Sequence, residues 1–414
     1  MISSYLAIDA HDPIIARDGR PFGAAQGNRM KSLEWPYPSV LAGSLRTMLG
    51  RIGGIDFVDE TIKALKLVKI YGPLPFYKDE IYLPAPKDIL VKDDAGGRET
   101  YSIRPARMKN GEGCNLPTGD ILPAMLPESV KEEFKPSKIP IFWSLSKMVE
   151  WLVDSTGSSF GAPPDPDKIE KATGFLSAPK KESRVHVKID PKLGASEEGF
   201  LFETMGLDLS LKGENERVML TARIEADITF EDLVKKINSF STFGGERRLV
   251  RWKQVDIQDS WSCPERIISA LDGKNRVRMV LATPAIFSQG WLPGWLQNEG
   301  GSILGHPPAA PDGLVLKLVS ACIDRWKPVS GWNLENKNRG PKPIKRLVNA
   351  GSVYFFELMP GGDAKELAKE LWLKPVSDVD QDQQDGFGLA LWGTWKFSDG
   401  IMNDKKEGTK LEGV

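Results

Sequence analysis

Cysteine is nearly missing from this chain: 414 residues hold three, Cys114, Cys263 and Cys322, odd in number and far apart. That excludes a disulfide framework and a paired-cysteine metal knuckle, and it points to a reducing, cytoplasmic setting. Histidine is as scarce. His11, His186 and His306 are scattered, with no HExxH and no carboxylate spacing that would assemble a metal site. The sequence also lacks a GxxxxGK[ST] phosphate loop, a GxGxxG after a strand and a GxSxG elbow, so neither a bound cofactor nor a nucleotide-dependent reaction is expected. An excess of charge of one sign is missing too: 55 basic residues face 56 acidic ones, for a net charge of -1. Bulk electrostatics therefore offers nothing to nucleic acid or acidic lipid, and a polyanion site has to come from local clustering. No long apolar run survives either. The uncharged stretch Met279 to Asn298 is interrupted by Pro284, Gln289, Gly290, Pro293 and Gly294, which speaks against a lipid-exposed helix. Met1 to Ala10 has no basic start followed by an apolar block, so a signal peptide is not expected.

What the chain does have is 40 glycines and 30 prolines, which cut it into short elements, and an ordinary 41% of hydrophobic residues, enough for a core. Its length predicts two domains. Apolar periods alternate between strand-like and helix-like, an α+β pattern. Ser4 to Ile15 reads as a strand, and Ser39 is expected to cap a helix with Leu41, Leu45, Met48, Leu49 and Ile52 on its apolar side. Strands follow at 184–189, 199–209 and 218–224, then a helix at 231–237, the loop Phe243 to Arg248 and a strand from Leu249. The second half repeats the plan: strands at 277–287, 314–320 and 353–358, a helix from Asp363 with Glu366 as a D-x-x-E signature, then Gly386, Phe387, Gly388 and a last strand. Its opening corresponds too, since Pro13 precedes Gly19 as Pro284 precedes Gly290. This predicts a duplicated β-α-β-β-α-β unit, two tandem ferredoxin-like domains at 1–270 and 271–414 with glycine-rich loops. Stretches 71–107 and 111–181 are expected to be insertions, the second with a helix at 144–153.

Four islands of positive charge lie beside glycine or aromatic residues. Arg17 and Arg20 flank Gly19, a turn that lets backbone N–H groups approach a ligand while arginine forks take phosphate. On the following helix Gly43, Arg46, Thr47 and Gly50 share a face, either as a small-residue surface for an RNA backbone or as close packing with Arg46 paired to Asp18. In the strand Arg184 to Ile189 a period of two turns Val185, Val187 and Ile189 to the core and Arg184, His186 and Lys188 outward, a face that suits RNA. His186 reads equally as a general acid or base of a nuclease or as an ordinary strand histidine. The third island is Gly244, Gly245, Glu246, Arg247, Arg248, with Arg251 and Lys253 beyond it. The fourth spans Gly331 to Gly351 and holds Lys337, Arg339, Lys342, Lys345 and Arg346 with Trp332 available for stacking. A solvated charged face is the plain alternative for each.

Taken in order, "DPIIARDGRPFG", "PSVLAGSLRTMLG", "RVHVKID", "EEGFLFE", "FGGERRL", "GPKPIKRLVNAGSVYFFEL" and "GFGLALWG" resemble the third subunit of the type III-B CRISPR Cmr effector complex, over nearly the whole chain. The resemblance implies a repeat-associated (RAMP) protein with two ferredoxin-like domains. It implies that the subunit holds the 5′ repeat-derived handle of the CRISPR RNA and contacts the large polymerase-like subunit and a backbone RAMP subunit, meeting target RNA only indirectly. By resemblance Arg17, Arg20, Arg46, His186, Lys188, Gly244, Gly245, Glu246, Arg247, Arg248, Lys342, Arg346, Gly386, Phe387 and Gly388 face the RNA. The family is not known for cleaving RNA, so no catalytic residue is expected. The competing expectations are a RAMP endoribonuclease acting through His186 and a scaffolding subunit with little RNA contact.

Overall fold

The computed structural model describes residues 2–17, 29, 30, 32–109, 111–118, 120–154, 156–169, 174–211, 216–335 and 339–398. The first half runs β1 (Ile2–Ala10), α1 (Pro38–Ile52), α2 (Asp59–Lys66), β2 (Lys69–Tyr77), β3 (Glu80–Pro84), β4 (Phe142–Ser144), α3 (Leu145–Val153), β5 (Phe175–Leu176), β6 (Lys180–Ile189), β7 (Ser196–Asp208), β8 (Met219–Ala226), α4 (Ile228–Lys235), β9 (Ser239–Phe243) and β10 (Arg248–Gln254). Eight of the strands form an antiparallel sheet in the order β5-β4-β3-β2-β8-β1-β10-β9. β1 sits inside it because both of its edges are paired: Leu6 lies opposite Ala222 on one side and Gln254 on the other. Its Leu6 and Ile8 point into a core closed by Leu41, Leu45 and Leu49 of α1.

The second half contains α5 (Glu265–Leu271), β11 (Arg276–Leu281), β12 (Leu296–Glu299), β13 (Ser302–Gly305), β14 (Leu316–Cys322), β15 (Lys327–Val329), β16 (Lys345–Leu347), β17 (Val353–Leu358), α6 (Ala364–Leu371), β18 (Lys374–Pro375), α7 (Asp380–Gln384) and β19 (Leu389–Thr394). A seven-stranded sheet takes the order β12-β13-β14-β17-β11-β19-β18. The four core strands of each sheet lie in the same spatial order, second, third, first, fourth: β2-β8-β1-β10 and β14-β17-β11-β19. Helix α1 connects β1 to β2, whereas residues 282–315 between β11 and β14 form loops and the β12–β13 hairpin, without a helix. The architecture is thus mixed α/β, with large antiparallel sheets and few helices.

Several expectations need correction. Helix α1 starts one residue before the expected cap: Pro38 occupies its first turn, Tyr37 precedes it, and Ser39 is inside. Residues 71–77 belong to β2, a central strand, so only part of 71–107 lies outside the sheet core. The 111–181 stretch supplies β4, β5 and α3; the expected helix is there, with Ser144 as its cap, Ser144 Oγ accepting from Lys147 N. That helix buries Met148, Trp151 and Leu152 in the largest core cluster, which also holds Tyr71 and Leu74 of the first half and Val277, Phe356 and Trp392 of the second. The two sheets therefore share one core. The buried row expected on β6 is absent: Val185, Val187 and Ile189 are exposed, at 65%, 48% and 52%, as are Arg184 and Lys188 on the opposite face. The reason is topological. β6 pairs only with β7, whose other neighbour is a two-residue strand at 29–30, so the distal half of this ribbon leaves the body and has no core to turn toward.

Where α3 ends, Asp154 organises the next turn. Its Oδ1 accepts from Thr156 N, Thr156 Oγ1 and Gly157 N at 2.9 Å, and its Oδ2 from Ser159 N at 2.8 Å. Burial pushes the Asp154 carboxyl up, but the hydrogen bonds from Ser159 and Thr156 outweigh it and hold it at about 2, below its ordinary 3.8. A carboxyl depressed in the folded state stabilises above the unfolded value and loses that contribution as pH falls from about 4 toward 2. Asp154→Asn is accordingly expected to destabilise more at pH 7 than at pH 3, as read by urea denaturation at the two pH values.

Candidate nucleic-acid interface

The third island proves to be a hairpin turn between β9 and β10. Gly244 at φ +69°, Glu246 at +54° and Arg247 at +51° all lie in the left-handed region. Two consecutive non-glycine residues there cost on the order of 1–3 kcal/mol each, and such outliers concentrate at functional sites. The turn is held down from two sides. Gly245 N donates to Ile15 O at 2.6 Å, and Gly244 N donates to Ser44 Oγ of α1 at 3.3 Å. A Cβ on Gly244 would stand 2.4 Å from Ile15 O, so glycine is required for the docking itself.

This docking gathers residues that are remote in sequence. The first position of a Cβ on Gly245 lies 3.7 Å from Arg17 Cδ, which puts the first and third islands side by side. The chain around Arg17 is fixed by Ser32, whose Oγ accepts from Ala16 N at 3.1 Å. Gly244, Glu246 and Arg247 are exposed and Gly245 and Arg248 are half-buried. The Arg248 Nε is buried without a hydrogen-bond partner, an orphaned donor at the edge of the turn. Gly43 and Thr47 of α1 face outward nearby, Thr47 Oγ1 donating back to Gly43 O at 2.7 Å, while Gly50 is buried against Phe57. Gly244 N, Gly245 N and Arg248 N are engaged inside the chain, so what the strained turn offers a phosphate backbone is the guanidinium groups of Arg247 and Arg248 beside Arg17.

Other expected contacts fall elsewhere. Arg46 is turned into the joint with the second half: its side chain is 11% exposed, its guanidinium paired with Asp385 and donating to Val68 O at 2.9 Å and Lys66 O at 3.1 Å. The close-packing alternative is the one realised, with Asp385 as the acid; Asp18, like Arg20, lies outside the described residues. Gly386, Phe387 and Gly388 are buried as well. A Cβ on Gly386 would stand 2.5 Å from Ile70 O, and Phe387 packs with Ile286, Val329 and Leu347. The second glycine loop is therefore a joint between the two halves, because it is buried against the backbone of β2, whereas the first docks on Ile15 of its own half and stays exposed at Gly244, Glu246 and Arg247. His186 Nε2 is 2.8 Å from Thr204 Oγ1 and its ring stacks on Phe202 at 5.2 Å, and Lys188 Nζ is 2.7 Å from Glu197 Oε2. Both stand on the ribbon. Lys342 and Arg346 are exposed on a separate arm.

The profile of the family described as CRISPR-associated protein (Cas_Cmr3) matches residues 6–395. The chain belongs to that family. Among solved structures, a chain of the type III-B Cmr-beta complex bound to cognate target RNA is 14% identical with a TM-score of 0.45, covering 85% of this chain and 86% of that one. A chain of the Csm3-Csm4 subcomplex of the type III-A CRISPR-Cas interference complex is 13% identical with a TM-score of 0.35, covering 87% and 94%. No curated protein matches the sequence. Family membership gives the chain a role as a RAMP-type ribonucleoprotein subunit in a type III CRISPR effector complex.

Among the described residues no helix is long and apolar enough to cross a membrane, and no group of three His, Cys, Asp or Glu side chains could hold a metal ion. Sequence reasoning missed Ser44, which carries the turn, and Trp326, which is 55% exposed. Nothing local marks Ser44, since its partner is 200 residues away. Trp326 lies five residues before the Gly331 that opened the fourth island, so that window cut it off.

Proposed function

We propose that this chain is the non-catalytic subunit that holds the 5′ repeat-derived handle of the CRISPR RNA and bridges the large polymerase-like subunit to the backbone. The observation that carries the reading is the strained turn Gly244–Arg248, with Arg17 beside it and the Arg248 Nε left without a partner. Arginine forks hold phosphates there, while shape at one end of a single strand supplies specificity that a net charge of -1 does not. His186 and Lys188 on the ribbon are proposed as further RNA contacts. The engagement of His186 by Thr204 and Phe202 favours a binding role over acid–base catalysis. The shared strand order of the two sheets supports two tandem ferredoxin-like units divided near residue 270, the second without its first helix.

The test is guide retention by the assembled complex carrying Arg247→Glu and Arg248→Glu. Loss of two phosphate contacts is expected to weaken handle binding by about tenfold or more and to flatten its salt dependence by about 0.7 in logarithmic slope per contact. Unchanged retention with the complex intact would favour the scaffolding reading. Loss of RNA cleavage in His186→Ala with binding intact would favour a nuclease.

A further inference from the structure

Residues 325–347 leave the second half as an arm. β15 pairs with β16, and farther out Trp332–Asn333 pairs with Gly340–Pro341. The root is firmly built. Val329 and Leu347 are buried with Ile286 and Phe387 and pack against Tyr37, Asn349 Nδ2 donates to Arg325 O at 2.7 Å, and Lys345 Nζ meets Asp382 at 2.7 Å. Beyond the root the described residues of the arm are open and mix cations with exposed apolar side chains, Leu334 and Ile344 among them. Trp326 and Trp332 are 55% and 60% exposed. Arg325, Arg339, Lys342 and Arg346 are exposed, and none forms an ion pair with a described residue. The one acid of the arm, Glu335, is already taken by Lys66, and Asp324 just before the arm by Lys87 at 2.8 Å. Four unmatched cations and no unmatched anion thus stand together in a chain whose net charge is -1. The Arg346 guanidinium lies 5.1 Å from the centroid of the Trp326 ring.

We propose that this arm is a second single-stranded RNA site, separate from the glycine turn. Trp326 holds the Arg346 guanidinium flat for a phosphate and offers its exposed remainder to an unpaired base, and Trp332 gives a second stacking surface. Stacking on an aromatic ring tolerates any base, and the unmatched cations follow the backbone, so the ligand class is a single strand without strict sequence. Exposed Trp and Arg also suit a protein interface. The charge decides for RNA, because a protein partner would have to bring four carboxylates to desolvated contact, whereas every nucleotide brings a phosphate. The proposal rests on the reading of this chain as an RNA-binding subunit and adds a place and a mode.

The experiment uses the full chain and a fluorescein-labelled oligouridine of about 12 nucleotides, long enough for one such site, titrated by anisotropy at several salt concentrations. Trp326→Ala is expected to weaken binding roughly 5- to 100-fold with little change in salt slope, and Trp326→Phe to keep most of it. Arg346→Glu is expected to weaken binding and flatten the slope by about 0.7. Trp326 is half-exposed, so these variants keep the fold, which circular dichroism checks. If Arg247→Glu weakens binding and the arm variants do not, the glycine-turn reading stands and the arm site is overturned. If none of them changes binding, both fall. If the arm variants keep RNA affinity but lose a protein subunit from the assembled complex, the arm is a protein-docking surface and the proposal is wrong.

Discussion

Asp88→Ala is expected to destabilise the chain by about 3–5 kcal/mol, the usual cost of removing one partner of a buried ion pair. Asp88 and Arg278 have side chains 0% and 1% exposed, and Arg278 Nη1 is 2.6 Å from Asp88 Oδ2. All the polar atoms of the pair except Arg278 Nε have partners. Trp151 Nε1 donates to Asp88 Oδ1 at 2.9 Å, and the other Arg278 nitrogen donates to Trp151 O and to Asp154 O. Removing the carboxylate leaves a guanidinium in a dry core and an indole N–H without an acceptor, two desolvation penalties at once. Because Asp88 lies before β4, Trp151 on α3 and Arg278 on β11, the loss falls on the seam between the halves. The double variant Asp88→Leu with Arg278→Met removes both charges and is expected to recover a large part of the stability. Chemical denaturation followed by tryptophan emission, run on the three proteins, measures this; a double variant no better than Asp88→Ala would contradict it.

The second large effect is expected of Gly386→Val. At φ +89° any side chain is strained, and here a Cβ would stand 2.5 Å from Ile70 O and 3.2 Å from Tyr71 Cα, both rigid backbone of β2. Gly361 provides the internal control: its φ is +97°, but a Cβ there meets nothing within 4 Å. Gly361→Ala is expected to cost about 1–3 kcal/mol, the strain alone. Gly386→Val is expected to cost more than that, with the halves forced apart at the joint that Arg46 and Asp385 close. Thermal unfolding of the two variants separates strain from collision. Equal losses would mean that the joint yields freely.

These two sites also mark where the sequence stops being informative. Local chemistry was legible: the apolar spacing after Ser144 marks α3, and Asp363 caps α6, accepting from Lys365 N at 2.8 Å, as its D-x-x-E spacing implies. The left-handed turn at Gly244 was announced by its glycines. Contacts between elements far apart in the chain were not legible. Arg46 and Asp385 are 339 residues apart, and no spacing rule links them. Gly386 and Gly244 look alike as local patterns, yet one faces Ile70 O across the joint and the other brings Arg17 to a surface turn. The alternation in β6 promised a buried row of Val185, Val187 and Ile189, but a period of two says only that two faces differ, and the ribbon has no core behind either face. Trp326 shows the same limit from the other side, since tryptophan composition predicts core and its exposure follows from the arm alone.

The central claim is that the turn Gly244–Arg248 with Arg17 holds the handle of a guide RNA. The most direct measurement is ultraviolet crosslinking of the complex purified through this chain from its native cells, with sequencing of the RNA 5′ ends and mass spectrometry of the crosslinked peptides. The account predicts guides sharing one repeat-derived 5′ end, with handle nucleotides attached to peptides that contain Arg17 or residues 244–248. Guides crosslinked only through other subunits, or RNA without a common 5′ end, would contradict it.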